Sequence, residues 1–250
     1  MRSTLPSVRI WNSLLLIYGT IDVQLLDRSG RSQHFAHALS GKEVQDAIRS
    51  FRHFPSLVED LTSGRASVQY EIHRVERGLT SLTQMNEEMY WPSPTETREE
   101  IDLLAASGTC DSIFVLWPQR NLRDGTSVRS AGWGLGMAAS VWSNGATYAT
   151  VGNTESWRWQ VPVAGEVWLH EWLHGVCAHF ASLRYVMPDG DADGGARHGY
   201  IQSAISGWTD YYRDLMTGNV LDADRATGIP LDAWRHPSPR CSQISGPCRR

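Results

Sequence analysis

The segment Gly165-Glu166-Val167-Trp168-Leu169-His170-Glu171-Trp172-Leu173-His174-Gly175 carries two histidines four residues apart, with a glutamate directly after the first. No other stretch restricts the chain so tightly. On an α-helix His174 lies about 40° round from His170, Glu171 about 100°, and Leu169, Trp172, Leu173 and Val176 fall between about 200° and 300°. One face is therefore chemical and the other is core. Two imidazoles on one helical face can share a tetrahedral metal, and the intervening carboxylate can hold a water beside it. His-Glu-x-x-His in this setting reads as a zinc site with its own general base, Glu171.

At 250 residues the chain can bury one sizeable core. Charged residues make up 20% and hydrophobic residues 41%, a globular balance, and no apolar run is long enough for a membrane span. Leu14-Leu15-Leu16-Ile17-Tyr18 is only a strand's length, and Gly19 to Val23 continues a strand pattern without a cleavage signature, so no signal peptide is read and the compartment is left open. A net charge of −4 gives no electrostatic footprint for nucleic acid. Four cysteines are too few for a disulfide scaffold; Cys241 and Cys248 are close enough in sequence to bridge, while Cys110 and Cys177 read as buried thiols.

Ahead of the motif, strands and helices alternate. Residues 8–26 and 33–39 flank a turn and predict a β-hairpin. Ser40 and Glu43 form a capping-box pair for a helix over 41–52, a short helix follows at 56–62, and Val68, Tyr70 and Ile72 alternate as a strand. A helix of weak pattern is expected over 79–90 and a better-signalled one from Ser93-Pro94 to about Ser107, followed by a buried strand at 113–117. Gly132-Trp133-Gly134-Leu135-Gly136 lacks the spacing of a nucleotide loop and suggests a close backbone approach or a turn. Residues 146–151 predict a strand just ahead of the motif helix, either one able to pair with an extended peptide or an ordinary hairpin strand. A short helix is expected over 208–216. The fold class is α+β: a twisted mixed sheet beside the active helix, then a smaller, loop-rich part. Residues 1–236 read as one domain, divided near residue 180 into a sheet-and-helix part and a part over 181–236, and 237–250 as a flexible tail.

The motif residues resemble the zincin superfamily of zinc metallopeptidases, firmly over the helix and loosely over the sheet before it and the tyrosine-bearing segment after it. The resemblance implies a zincin-like fold, zinc on His170 and His174, Glu171 as base and later acid, a third ligand from downstream, and a peptide or protein substrate. The chain departs from the best-known patterns. Gly175 and His179 do not match the metzincin spacing, and a continuing helix would turn His179 to about 180°, away from the metal. No glutamate follows Glu171, which removes the ordinary gluzincin ligand. His198 is the first choice for the third ligand and Asp193 the alternative, since zinc accepts imidazole or carboxylate. Tyr200, Tyr211 and Tyr212 are candidates to stabilise an oxyanion.

Two other readings stand beside this one. Asp189, Asp191 and Asp193, with Gly194 at position six, match the first half of a calcium loop, although Tyr200 occupies the twelfth position where a glutamate belongs. A calcium-dependent binding or structural module, with some of its eleven tryptophans facing a ligand, is thus the alternative to an enzyme using Zn2+, as is a zincin-fold protein without peptidase activity.

Overall fold

The computed structural model describes residues 8–26, 29–86 and 88–242. In chain order its elements are β1 (Arg9–Tyr18), β2 (Thr20–Leu26), β3 (Ser32–Ala38), α1 (Gly41–Phe51), α2 (Phe54–Leu61), β4 (Ala66–Val75), β5 (Thr83–Gln84), β6 (Tyr90–Trp91), α3 (Arg98–Leu104), β7 (Ser112–Trp117), β8 (Gly134–Met137) and β9 (Thr147–Gly152). Then come α4 (Glu166–Ser182), α5 (Thr209–Thr217), β10 (Val220–Asp222), β11 (Arg225–Thr227) and α6 (Pro239–Ser242). The architecture is α+β around a five-stranded mixed sheet ordered β4-β1-β7-β9-β8. The first four of these strands run parallel and β8 is an antiparallel edge.

Strand periodicity sorts the two faces of this sheet. Leu15 and Ile17 of β1, Phe114 and Leu116 of β7, and Ala149 and Val151 of β9 face the layer of α1, α2 and α4. Their neighbours Leu14, Leu16, Tyr18, Ile113, Val115, Trp117 and Tyr148 face α3 and the β2–β3 hairpin. Both faces are covered, as a largely parallel sheet requires, and this explains why β7 is apolar at nearly every position.

The capping box of α1 is present, with Ser40 accepting from the Glu43 amide and Glu43 accepting from the Ser40 amide. The hairpin forms between β2 and β3 only, because β1 turns away at Gly19 and enters the main sheet. Residues 79–90 are not helical. Leu79 bridges to Ile21, β5 pairs with β6, and the Asn86 carboxamide oxygen accepts the Glu88 and Met89 amides, a turn that competes with helix where no apolar 3.6-residue repeat supports one. Ser93 and Glu96 do pair as a cap, but regular helix starts only at Arg98 and ends at Leu104. The strand near 146–151 forms as β9 but is internal; the edge beside α4 is β8.

The segment from residue 237 is docked rather than loose at its start. Ser238 is fully buried, the buried Asp111 carboxylate accepts the Arg240 amide at 3.0 Å, and His179 Nε2 meets the Pro237 carbonyl at 3.1 Å. Residues 243–250, and with them the Cys241–Cys248 pairing, lie outside the described residues; Cys177 is a buried thiol and Cys110 a half-buried one. No helix among the described residues is long and apolar enough to cross a membrane.

Candidate metal centre

Helix α4 is held by aromatic packing on its apolar side. Trp168 meets Phe51 edge-on at 5.2 Å and Trp172 meets Trp11 at 5.2 Å and Phe54 at 5.4 Å, while stacking on Trp234. Both buried indole N–H groups are satisfied, Trp168 by Ser50 Oγ and Trp172 by Ser112 Oγ. His179 is turned away from His170 and His174, edge-on to Trp11, as its angle on the helical wheel requires.

The opposite side of α4 lies against β8 and β9 at backbone contact, and glycine makes this approach available. A Cβ at Gly134 would sit on the Thr150 carbonyl and 2.9 Å from the Glu171 carboxyl carbon; one at Gly136 would sit on the Glu171 carbonyl and 2.8 Å from His174 Cβ. Gly175 does the same from the helix, since a Cβ there would come within 2.7 Å of Thr147 and 2.8 Å of the Met137 carbonyl. The glycine that breaks the metzincin pattern and the glycine-rich segment thus form one packing arrangement. It places the β8 edge along the motif.

His170 and His174 project from this helix with ring centroids 5.0 Å apart, and Asp193 reaches them from the short 3-10 turn Asp191–Asp193. Asp193 Oδ1 stands 3.4 Å from His170 Nε2, and Oδ2 stands 3.9 Å from His174 Nε2. Ligands about 2.0–2.2 Å from a tetrahedral metal lie roughly 3.3–3.5 Å from one another, so the group has close to the spacing of a coordination shell. These three residues offer ligand atoms within 4.8 Å of one another, a group that could hold a metal ion.

The far nitrogens of both imidazoles are engaged. His170 Nδ1 lies 2.8 Å from Tyr212 Oη, and His174 Nδ1 lies 2.7 Å from Asp191 Oδ1. With Nδ1 protonated, each ring donates outward and turns the Nε2 lone pair towards Asp193, the arrangement that orients histidines for a metal. Glu171 Oε1 lies 3.8 Å from His170 Nε2. Burial pushes the His170 imidazole down to about 3, with His174 adding to the effect. Burial likewise pushes Glu171 up to about 8, the Asp193 and Asp191 carboxylates adding to it against the pull of His174. His174 is raised: burial opposes its charge, but the Asp191 hydrogen bond and the surrounding carboxylates outweigh it. A neutral imidazole and a carboxylate short of positive charge, side by side, are what a bound cation stabilises.

The other sequence candidates fall elsewhere. His198, expected as the third ligand, points its Nε2 at the Asp189 carbonyl, 3.0 Å away, and the alternative, Asp193, takes its place. The three loop aspartates do not converge as calcium ligands would. Asp189 pairs with Arg197 at 2.9 Å, Asp191 holds His174, and Asp193 faces the imidazoles. Tyr200 donates to Asp214 and Tyr211 to the Asp191 carbonyl, and neither lines the cleft; Tyr212 does, with its hydroxyl at the back of the His170 ring.

The triad opens into a cleft of about 500 Å3 lined on one wall by residues 131–136 and on the other by Ala196, Gln202, Trp208 and Tyr212. Trp133 packs its ring 4.8 Å from that of His170, and Arg158, also in the lining, lies 4.9 Å from the Trp133 ring centroid. Arg158 and Trp133 were not singled out from sequence; Asp191 was, as a candidate calcium ligand rather than as the partner of His174 Nδ1. For Trp133 a signal did exist in the glycine alternation of 132–136, which marks a strand with one face in backbone contact.

The chain matches no protein-family model, and a search of curated proteins returns no match.

Proposed function

We propose that this chain is a zinc-dependent metallopeptidase of the zincin type, with His170, His174 and Asp193 as the protein ligands and Glu171 as the general base. One observation carries the reading. Both imidazoles direct Nε2 towards Asp193 while their Nδ1 atoms are held from behind, and the buried Glu171 carboxylate stands beside them in the lining of the cleft. Two imidazoles and one carboxylate with an open position make a catalytic rather than a closed structural donor set.

Zinc bound there would supply a Lewis acid that polarises the scissile carbonyl and makes the attacking water more acidic. The residues of the chain do the rest. Glu171 takes the proton of the water and passes it to the leaving amine nitrogen. Without a metal, burial pushes its carboxyl up to about 8, and a cation on the neighbouring ligands would favour the carboxylate form that accepts the proton. Edge strand β8 offers backbone donors and acceptors for an extended peptide running along α4. Trp133 fixes the His170 ring and excludes water from its face.

The competing reading, a calcium-dependent module with ligand-facing indoles, has less support. Trp11, Trp117, Trp159, Trp168, Trp172 and Trp234 are fully buried and serve as core. The direct test combines metal analysis with peptide cleavage. The zinc-loaded protein is expected to hold about one zinc per chain and to cleave an unstructured peptide library, and Glu171→Gln to retain the zinc and lose at least about 1,000-fold in turnover. Undiminished cleavage by that variant, or a zinc content unaffected by His170→Ala, would sink the proposal.

A further inference from the structure

A second cavity, of about 660 Å3, is lined by the start of α1, by Leu122 and Arg123, and by Trp157 and Trp159 of the 3-10 segment Asn153–Trp159. It shares no lining residue with the cleft of the candidate metal centre. Its volume is that of a small-molecule site. Two of its lining residues carry a buried polar atom with no hydrogen-bond partner: Nε1 of Trp159, a residue 0% exposed, and Nε2 of His37 on β3. Buried N–H groups are nearly always paired, so an unpaired indole N–H on a residue lining a cavity points to an acceptor brought by a ligand. The same lining includes two large apolar side chains left open, Trp157 at 58% and Leu122 at 49% exposure.

The charged groups of this cavity divide into committed and uncommitted. Glu43 accepts from Asn153 with Oε1 and from Ser40 with Oε2, and Asp46 is paired with Lys42 and Arg49. Arg123 is exposed and its guanidinium has no ion pair among the described residues. The uncommitted groups are therefore all of one kind. The Trp159 N–H only donates, the His37 imidazole nitrogen donates in one tautomer and when protonated, and the Arg123 guanidinium only donates. We infer that this cavity binds a small organic acid, whose carboxylate accepts from Trp159 Nε1 and is attracted by Arg123 while its apolar body packs on Leu39, Leu122 and Trp157. A carboxylate brings acceptors without adding a donor, and its hydrogen bonds are stronger than those of a neutral carbonyl. A purely apolar ligand would leave the indole N–H unpaired, and an inorganic anion would leave the apolar lining uncovered.

The inference goes beyond the peptidase reading and does not rest on it, since no residue is common to the two sites. The probes are hexanoate, 4-phenylbutanoate and indole-3-acetate, each beside its primary amide, with acetate as the anion without a body. Binding to the full chain is followed by calorimetry and by the indole N–H resonances, that of Trp159 being the one absent from Trp159→Phe. At least one of the three acids is expected to saturate, to move the Trp159 resonance downfield, and to bind about tenfold or more tighter than its amide and than acetate. Arg123→Gln should weaken the acid about 3- to 10-fold and leave the amide unchanged, and Trp159→Phe should weaken the acid about tenfold. Arg123 and Leu122 are exposed, so Arg123→Gln and Leu122→Asp keep the test decisive if Trp159→Phe does not fold. His170→Ala should bind the acid as the parent does. No saturable binding by any of the three acids, equal affinity for acid and amide, or affinity unaffected by Arg123→Gln and Leu122→Asp overturns the inference. So does loss of binding in His170→Ala, which would place the acid at the metal centre instead.

Discussion

Asp191 Oδ1 and His174 Nδ1 stand 2.7 Å apart, so one 3-10 turn, Asp191–Asp193, supplies both Asp193, the carboxylate proposed as a metal ligand, and the carboxylate that holds His174 from behind. The two aspartates differ by two positions and serve different atoms. Asp191→Asn is expected to weaken metal binding about 10- to 100-fold while leaving the ligand set intact. Asp193→Asn, which removes the ligand charge, should weaken it further. Competition against a chelator of known affinity measures both, and a larger loss from Asp191→Asn than from Asp193→Asn would exchange the roles given to them.

Tyr212 makes the parallel contact behind His170. Removing only its hydroxyl, in Tyr212→Phe, keeps the ring against Tyr211 and leaves His170 Nδ1 without its partner. Metal affinity should fall about tenfold or more. If Tyr212 instead stabilised an oxyanion, the variant would lose kcat and keep its metal. Metal competition and steady-state kinetics on one preparation decide between the two.

Close packing of β8 on α4 predicts an unusually intolerant glycine. A methyl at Gly136 meets the Glu171 carbonyl and the His174 Cβ, and backbone on both sides has little room to give. Gly136→Ala should destabilise the fold by about 1–3 kcal/mol, the usual range for overpacking. It should also loosen metal binding, because strand and helix must part where His174 is anchored. A denaturation midpoint equal to that of the parent would contradict the packing described here.

What the sequence made legible follows from how local each signal is. The motif helix, its apolar face, the α1 capping box and the buried β7 strand depend on residues within a few positions of one another, and the structure has them where the pattern places them. Local reasoning puts His198 ahead of Asp193, but both lie on one short loop, and its docking against α4 turns Asp193 rather than His198 towards the imidazoles. The same holds for Tyr200, Tyr211 and Tyr212, three similar side chains whose partners are set by the position of α5. The strand expected over 146–151 forms inside the sheet, with β8 at the edge, because hydrogen-bonding order in a sheet leaves no mark on the sequence of β9. The helix expected over 79–90 failed for a local reason, the turn at Asn86.

Glu166 offers a prediction independent of metal. It opens α4, where the helix N-terminus favours its charge, yet it is only 2% exposed. Burial wins, pushing its carboxyl up to about 7 against the opposing pull of the Trp208 amide, which donates to it, and of Arg158. In the unfolded chain the same group titrates near 4.5. Between these two values the folded state holds a proton that the unfolded state has released, so this contribution to stability is fully present below about pH 4.5 and is lost as pH rises through about 7. Glu171, pushed up to about 8, acts in the same direction, so the comparison must be between variants rather than with a flat baseline. Glu166→Gln keeps an oxygen for the Trp208 amide and removes the titration. Metal-free Glu166→Gln should therefore lose less stability than the parent between about pH 5 and 7, with a difference in slope of at most about 1.4 kcal/mol per pH unit. Denaturant unfolding at both pH values measures it, and parallel stability curves for the two proteins would show that the Glu166 carboxyl does not hold its proton in the folded chain.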